Sequence, residues 1–145
     1  GFLTITGRKK DLLVTAGGKN VSPGPLEELV RASRLVSQAV VVGNNRPFVA
    51  ALVSLDAEEL GPWARTRGLP ELTLAEAAAH PAVRDEIERA VQEANATVSR
   101  SEAIRKFAVL DREFTEESGH LTPSLKLKRQ TVLETCAEDI DALYR

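Results

Sequence analysis

Methionine does not occur in the 145 residues, cysteine and tryptophan occur once each, and histidine twice. A single thiol excludes an internal disulfide framework and fits a reducing compartment. Two histidines far apart, with that one cysteine, leave no zinc constellation in the sequence. Long apolar runs are scarce too. The longest, Phe48 to Val53, spans six residues, against about 20 for a membrane-crossing helix. No charged-then-apolar leader opens the chain, so secretion is not expected. Charge of one sign is not in excess: Lys+Arg 19 against Asp+Glu 21 gives a net −2, so no overall field pulls the molecule onto DNA or anionic lipid. Without an initiating methionine, and beginning Gly1-Phe2-Leu3, the chain is expected to be a piece of a longer protein.

What is present reads as one domain of ordinary size, long enough to bury about 68–70% of the surface its unfolded chain would expose. Phe2 to Thr6 and Leu12 to Thr15 are short β-prone runs around the polar Gly7-Arg8-Lys9-Lys10-Asp11, which reads as an N-terminal hairpin ended by Gly17-Gly18. Ser22-Pro23 reads as a helix start, with Leu26, Leu29 and Val30 turned inward. Val36 to Val42 and Phe48 to Leu55 are apolar runs of strand length around a Gly-Asn-Asn-Arg-Pro turn. Asp56 can cap a helix holding Leu60 and Trp63, and Thr73 to Ala79 a short one. Pro81 to Val98 carries a helical stripe of Val83, Ile87, Ala90, Val91, Ala94 and Val98. Ile104 to Leu110 gives a third strand, and Phe114 to Pro123 a polar loop. A last helix after Ser124 places Val132, Leu133, Cys136, Ala137, Ile140, Leu143 and Tyr144 inward. The pattern predicts an α+β fold: a small three-stranded sheet flanked by helices, with an N-terminal β-hairpin. His80 and His120 are expected at the surface, and Cys136 as a buried structural thiol.

Three segments leave two readings open each. The cations Arg8, Lys9 and Lys10 form either a solvated hairpin tip or a phosphate-facing or hinge segment, since Arg forks onto phosphate oxygens and Lys is a mobile point charge. Gly17-Gly18-Lys19 is either a turn needing positive φ or a place where bare backbone approaches a ligand. It lacks the P-loop spacing. Lys126, Lys128 and Arg129 sit at the start of the last helix, where cations oppose the helix dipole at about 0.3–1 kcal/mol each. Either this is a basic solvated turn, or a local rule is broken because the residues serve a site.

Taken in order, Phe2 to Asp11, Thr15 to Pro23, and Leu121-Thr122-Pro123-Ser124-Leu125-Lys126-Leu127-Lys128-Arg129 resemble the C-terminal domain of the acyl-adenylate-forming (AMP-binding) ligases, nearest to the long-chain fatty-acid–CoA ligases. The resemblance covers essentially the whole chain, 1–145, as one mobile C-terminal lid domain. Within it 1–18 would be hinge and hairpin, and 69–101 a helical insertion. It implies a catalytic role for Lys126 beside the carboxylate–ATP reaction that gives acyl-AMP, a hinge at Lys10, and nucleotide approach by Arg8. It also implies that Gly17, Gly18 and Lys19 face CoA in the thioester-forming step. ATP and CoA are implied as substrates together with a fatty acid. Mg is expected with ATP on the upstream N-terminal domain of the same chain, not on this fragment.

That domain would also hold the phosphate loop, the ribose-binding aspartate and the fatty-acid tunnel, so the fragment alone is expected to be inactive. A cytoplasmic enzyme is implied, with peripheral membrane contact left open and no nucleic acid as partner. Many relatives carry an acidic–apolar–acidic triplet where this chain has Pro25-Leu26-Glu27, which keeps only the last acid. Two alternatives remain. One is a fatty-acyl-AMP ligase or carrier-loading adenylation enzyme. The other, of a different class, is a stand-alone nucleotide- or nucleic-acid-binding module, which the net charge and the lack of aromatics among the basic clusters disfavour.

Overall fold

The computed structural model describes residues 12–123 and 127–144. The runs at 2–11, with Arg8 and Lys10, and the lysine at 126 lie outside the described residues. Two short strands, β1 (Leu13–Val14) and β2 (Asn20–Val21), pair antiparallel across the glycine segment. Leu12 to Thr15 therefore forms the first arm of a described hairpin whose turn is Thr15 to Lys19.

The main sheet is β3 (Val36–Val42), β4 (Val49–Leu55) and β5 (Ile104–Val109), in the order β3-β4-β5. The β3–β4 pair is antiparallel and β4–β5 parallel. All seven residues of β4 are buried, as a central strand covered on both faces requires. The α+β expectation is met. With period two, Ala39, Val41, Val49, Ala51 and Val53 enter one core, and Val40, Val42, Ala50 and Leu52 a second on the opposite face. Each fully buried Val, Leu or Ile supplies about 1.5–3 kcal/mol of transfer free energy.

The first core is covered by α1 (Pro23–Arg31), α2 (Ala57–Thr66), α3 (Leu74–Ala79) and α4 (Pro81–Asn95). Asp56 caps α2 by accepting from the Glu58 and Glu59 amides at 3.0 and 3.3 Å. Thr73 and Glu76 form a reciprocal capping box on α3. The second core is closed by Leu110, Phe114 and Leu121, and by α5 (Arg129–Thr135) and α6 (Ala137–Leu143).

Four details depart from the sequence reading. The inward stripe of α1 is Pro23, Leu26, Glu27 and Val30, while Leu29 is 40% exposed. Ser22 sits at the N-cap position of α1 but makes no side-chain cap bond. Helix α4 stops at Asn95, short of Val98, and the Asn95 side chain turns to β5. Its Nδ2 donates to the Ile104 carbonyl at 2.9 Å, and its Oδ1 accepts from the Ile104 amide at 2.8 Å. The last helix is two short ones broken at Cys136, which leaves Ala137 exposed while Val132, Cys136, Ile140 and Leu143 stay buried. No helix among the described residues is long and apolar enough to cross a membrane.

Candidate functional site

The glycine segment is shaped by its own backbone. The Thr15 amide donates to the Lys19 carbonyl at 3.0 Å, and the Gly18 amide to the Thr15 carbonyl at 2.9 Å. The Lys19 amide donates to Thr15 Oγ1 at 3.1 Å. Gly18 has φ +85°, where an L side chain is strained, so the turn itself demands this glycine. Gly17 is different. Its φ is not positive, and a Cβ built there would meet nothing within 4 Å. Nothing in the described domain requires Gly17 to lack a side chain.

The hairpin is seated on the β3–β4 turn. The Val14 carbonyl accepts from the Asn45 amide at 2.8 Å, and the Ala16 amide donates to the Arg46 carbonyl at 2.8 Å. Asn44 Oδ1 accepts from the Val14 amide at 3.1 Å. Lys19 Nζ reaches Glu102 at 4.0 Å, a loose pair with Lys19 half-exposed. A cleft of about 220 Å³ lies beside the hairpin, lined by Leu13, Val41, Arg46, Arg129, Leu133 and Ile140 among others.

The lysine-bearing segment is held on both flanks. Leu121 and Leu127 form an antiparallel bridge, and the Lys128 amide donates to the His120 carbonyl at 2.7 Å. His120, expected at the surface, is buried at 8% exposure. Its Nδ1 lies 2.6 Å from Ser118 Oγ and its Nε2 2.7 Å from Thr135 Oγ1, and the ring stacks on Phe114 at 4.8 Å. A neutral imidazole can serve both hydroxyls, donating through one nitrogen and accepting through the other. Burial, with the nearby Arg112 charge, holds its pKa below the ordinary histidine value.

Sequence reasoning missed the partner of Arg129. Arg129 Nη2 donates to Glu27 Oε1 at 2.6 Å and Nη1 to Oε2 at 2.7 Å, a two-point fork between residues 102 apart. The same Glu27 Oε2 accepts from the Val41 amide at 2.7 Å, and Arg129 Nη1 lies 3.4 Å from the Val41 carbonyl. Val41 is on edge strand β3, and the pair meets both of its backbone polar groups. The first residue of α5 thus carries its charge against the helix dipole with a carboxylate in place to offset it. The one signal available beforehand was that Glu27 is the acid kept from the triplet noted above.

Cys136 is buried, as expected, with Arg112 Nη2 at 3.6 Å from its sulfur. Among the described residues no group of three or more His, Cys, Asp or Glu gathers to hold a metal. Of the candidate residues, Gly17, Gly18 and Lys19 fall together on the hairpin turn. Lys10, Arg8 and Lys126 lie outside the described residues.

The long-chain-fatty-acid–CoA ligase FadD15 of Mycobacterium tuberculosis is 50% identical over 145 residues, covering 99% of this chain and 24% of that protein. The long-chain-fatty-acid–CoA ligase ACSBG1 of Rattus norvegicus is 36% identical over 163 residues, covering 100% of this chain and 23% of that protein. The adenylation domain of a carboxylate reductase from Mycobacterium chelonae superposes with a TM-score of 0.72 at 31% identity, covering 94% of this chain and 20% of that structure. The chain therefore spans about a quarter of the length of the curated relatives it matches. These likenesses take the ground from the stand-alone nucleic-acid module. Residues 10–145 match the family described as AMP-binding enzyme C-terminal domain, and the chain belongs to that family.

Proposed function

We propose that this chain is the C-terminal lid of an ATP-dependent, AMP-forming long-chain fatty-acid–CoA ligase. The observation that carries the reading is family membership over 10–145 together with 50% identity to a long-chain ligase along nearly the whole chain. The upstream domain of the full protein would hold ATP, its Mg and the fatty acid. Lys126 serves the first half-reaction, in which a carboxylate oxygen attacks the α-phosphate of ATP and pyrophosphate leaves. Charge builds on the non-bridging oxygens there, and an ammonium placed for that moment binds the transition state more tightly than the ground state. Gly17, Gly18 and Lys19 serve the second half-reaction, where the CoA thiol displaces AMP from the acyl carbonyl. A turn with no Cβ at position 17, open on its outer side, lets backbone lie close to an extended pantetheine arm.

Lys10 is the hinge that exchanges the two faces, and Arg8 approaches the nucleotide. Residues 69–101 are an insertion on the helical side, the whole enzyme works in the cytoplasm, and the fragment alone is inactive.

The test is Lys126→Ala in the full-length protein. Acyl-AMP formation should fall roughly 10²–10³-fold, as when one oxyanion donor is removed, while thioester formation from supplied acyl-AMP persists. Equal loss in both steps removes Lys126 from this role. The likeness to a carboxylate reductase adenylation domain favours a second reading, with a carrier-bound thiol as acceptor in place of CoA. Offering the full protein acyl-AMP with CoA or with a carrier protein whose thiol is free separates the two.

A further inference from the structure

The Glu27–Arg129 pair is a poor device for stability alone. Glu27 is buried and Arg129 largely so, with side-chain exposures of 10% and 24%, so both charges lose hydration on folding. Replacing such a pair by apolar side chains is often neutral or stabilising. What the pair gives that apolar side chains would not is partners for the Val41 amide and carbonyl, and direction. A two-point fork fixes the guanidinium in plane and rotation, and the shared carboxylate is itself held by the Val41 amide on a buried strand. The held residue is the first of α5, three positions after Lys126. The two flanks of Lys126 are joined to each other through the Leu121–Leu127 bridge and the Lys128–His120 bond.

We propose that Glu27 and Arg129 are positioning residues for Lys126 in acyl-AMP formation. The fork anchors Arg129, three residues on from Lys126, to the sheet edge, which gives the chain leading to the lysine a fixed attachment. This rests on the reading of Lys126 above and extends it to two residues that touch neither substrate nor nucleotide. An anchor shifted by about 1 Å is enough to cost on the order of 10²-fold in such a reaction.

The test is a double-mutant cycle in the full-length protein, with Tm, acyl-AMP formation and thioester formation from supplied acyl-AMP read on every variant. The matched apolar pair E27M/R129M avoids leaving one charge buried alone. It leaves the Val41 amide and carbonyl without these partners, so Tm should fall. It should lower acyl-AMP formation by about 10²-fold while leaving thioester formation unchanged, a one-sided loss that lowered stability alone would not give. Placed on Lys126→Ala, the same pair should cause no further loss, because it acts through that lysine. Arg129→Lys keeps the charge but not the fork, and should show the same one-sided loss at smaller size.

Full activity of both E27M/R129M and Arg129→Lys overturns the proposal. So does equal loss in both half-reactions, or the full loss repeated on Lys126→Ala. If Lys126→Ala alone leaves acyl-AMP formation intact, the underlying reading fails first and takes the proposal with it. That result is told apart by the single variant.

Discussion

The glycine hairpin and the segment from His120 to Arg129 are fastened to the same sheet by different means. Thr15 to Lys19 is held mainly by backbone: its closing bonds are amide to carbonyl, and its seat on the β3–β4 turn uses the backbone of Val14, Ala16, Asn45 and Arg46. The flanks of Lys126 are joined to each other by backbone, at the Leu121–Leu127 bridge and the Lys128–His120 bond. They are tied to the rest of the domain by side chains as well, the imidazole of His120 between two hydroxyls and the fork of Arg129 on Glu27. A segment kept in shape by its backbone can do without side chains at its tip. One that must deliver a single ammonium needs its neighbours' side chains to fix its base. The two halves of the proposed chemistry ask for just these properties.

Three measurements would break or sharpen that contrast. The largest effect belongs to Phe114→Ala, which removes a ring that is 3% exposed and lies under His120. Denaturant unfolding should show a loss of about 3–5 kcal/mol, and a loss under about 1 would mean the segment has no core beneath it. Next come the two glycines. Gly18→Ala should cost about 1–2 kcal/mol because φ is +85°. Gly17→Ala should leave stability unchanged, its Cβ standing in open space, while slowing thioester formation in the full enzyme. Equal stability losses at the two positions would erase the distinction.

The smallest effect is a pH dependence. His120 has a folded pKa below the ordinary 6.5, from burial first and the Arg112 charge second. Below about pH 6.5 the unfolded chain therefore binds a proton that the folded one does not, and stability falls as pH falls through that window. The stability difference between the parent and His120→Gln should shrink from pH 7.5 towards acid. A difference flat with pH would show that the imidazole is not held neutral.

Much of the frame was legible in the sequence because it is local. Val36 to Val42 and Phe48 to Leu55 stand out as apolar runs of strand length, Ile104 to Leu110 reads as a third strand, and Asp56 reads as a cap. The failures came where one element answers to another. A stripe of Leu26, Leu29 and Val30 looks right on α1 alone, but the helix is turned to bring Glu27 to Arg129, so a carboxylate takes an inward place and Leu29 an outward one. Val98 fits the period of α4, yet the helix ends at Asn95, whose side chain pairs with the Ile104 backbone. His120 reads as a loop residue because polar neighbours hide the aromatic and the two hydroxyls that enclose it. At the candidate site the glycines were visible by type. The anchor for the lysine was not, since no periodicity links positions 102 apart.

Among the described residues β3 ends the sheet with no strand on its outer side, which is where another polypeptide could add a strand of its own. At Val41 the outward amide and carbonyl are already engaged by two opposite charges, so an incoming chain would have to displace an ion pair to continue the ladder there. The contact that sets a loop's base also makes the rim of the sheet a poor template for aggregation. For the lid proposed above, which would leave its neighbour and return many times in crowded solution, such protection would matter most.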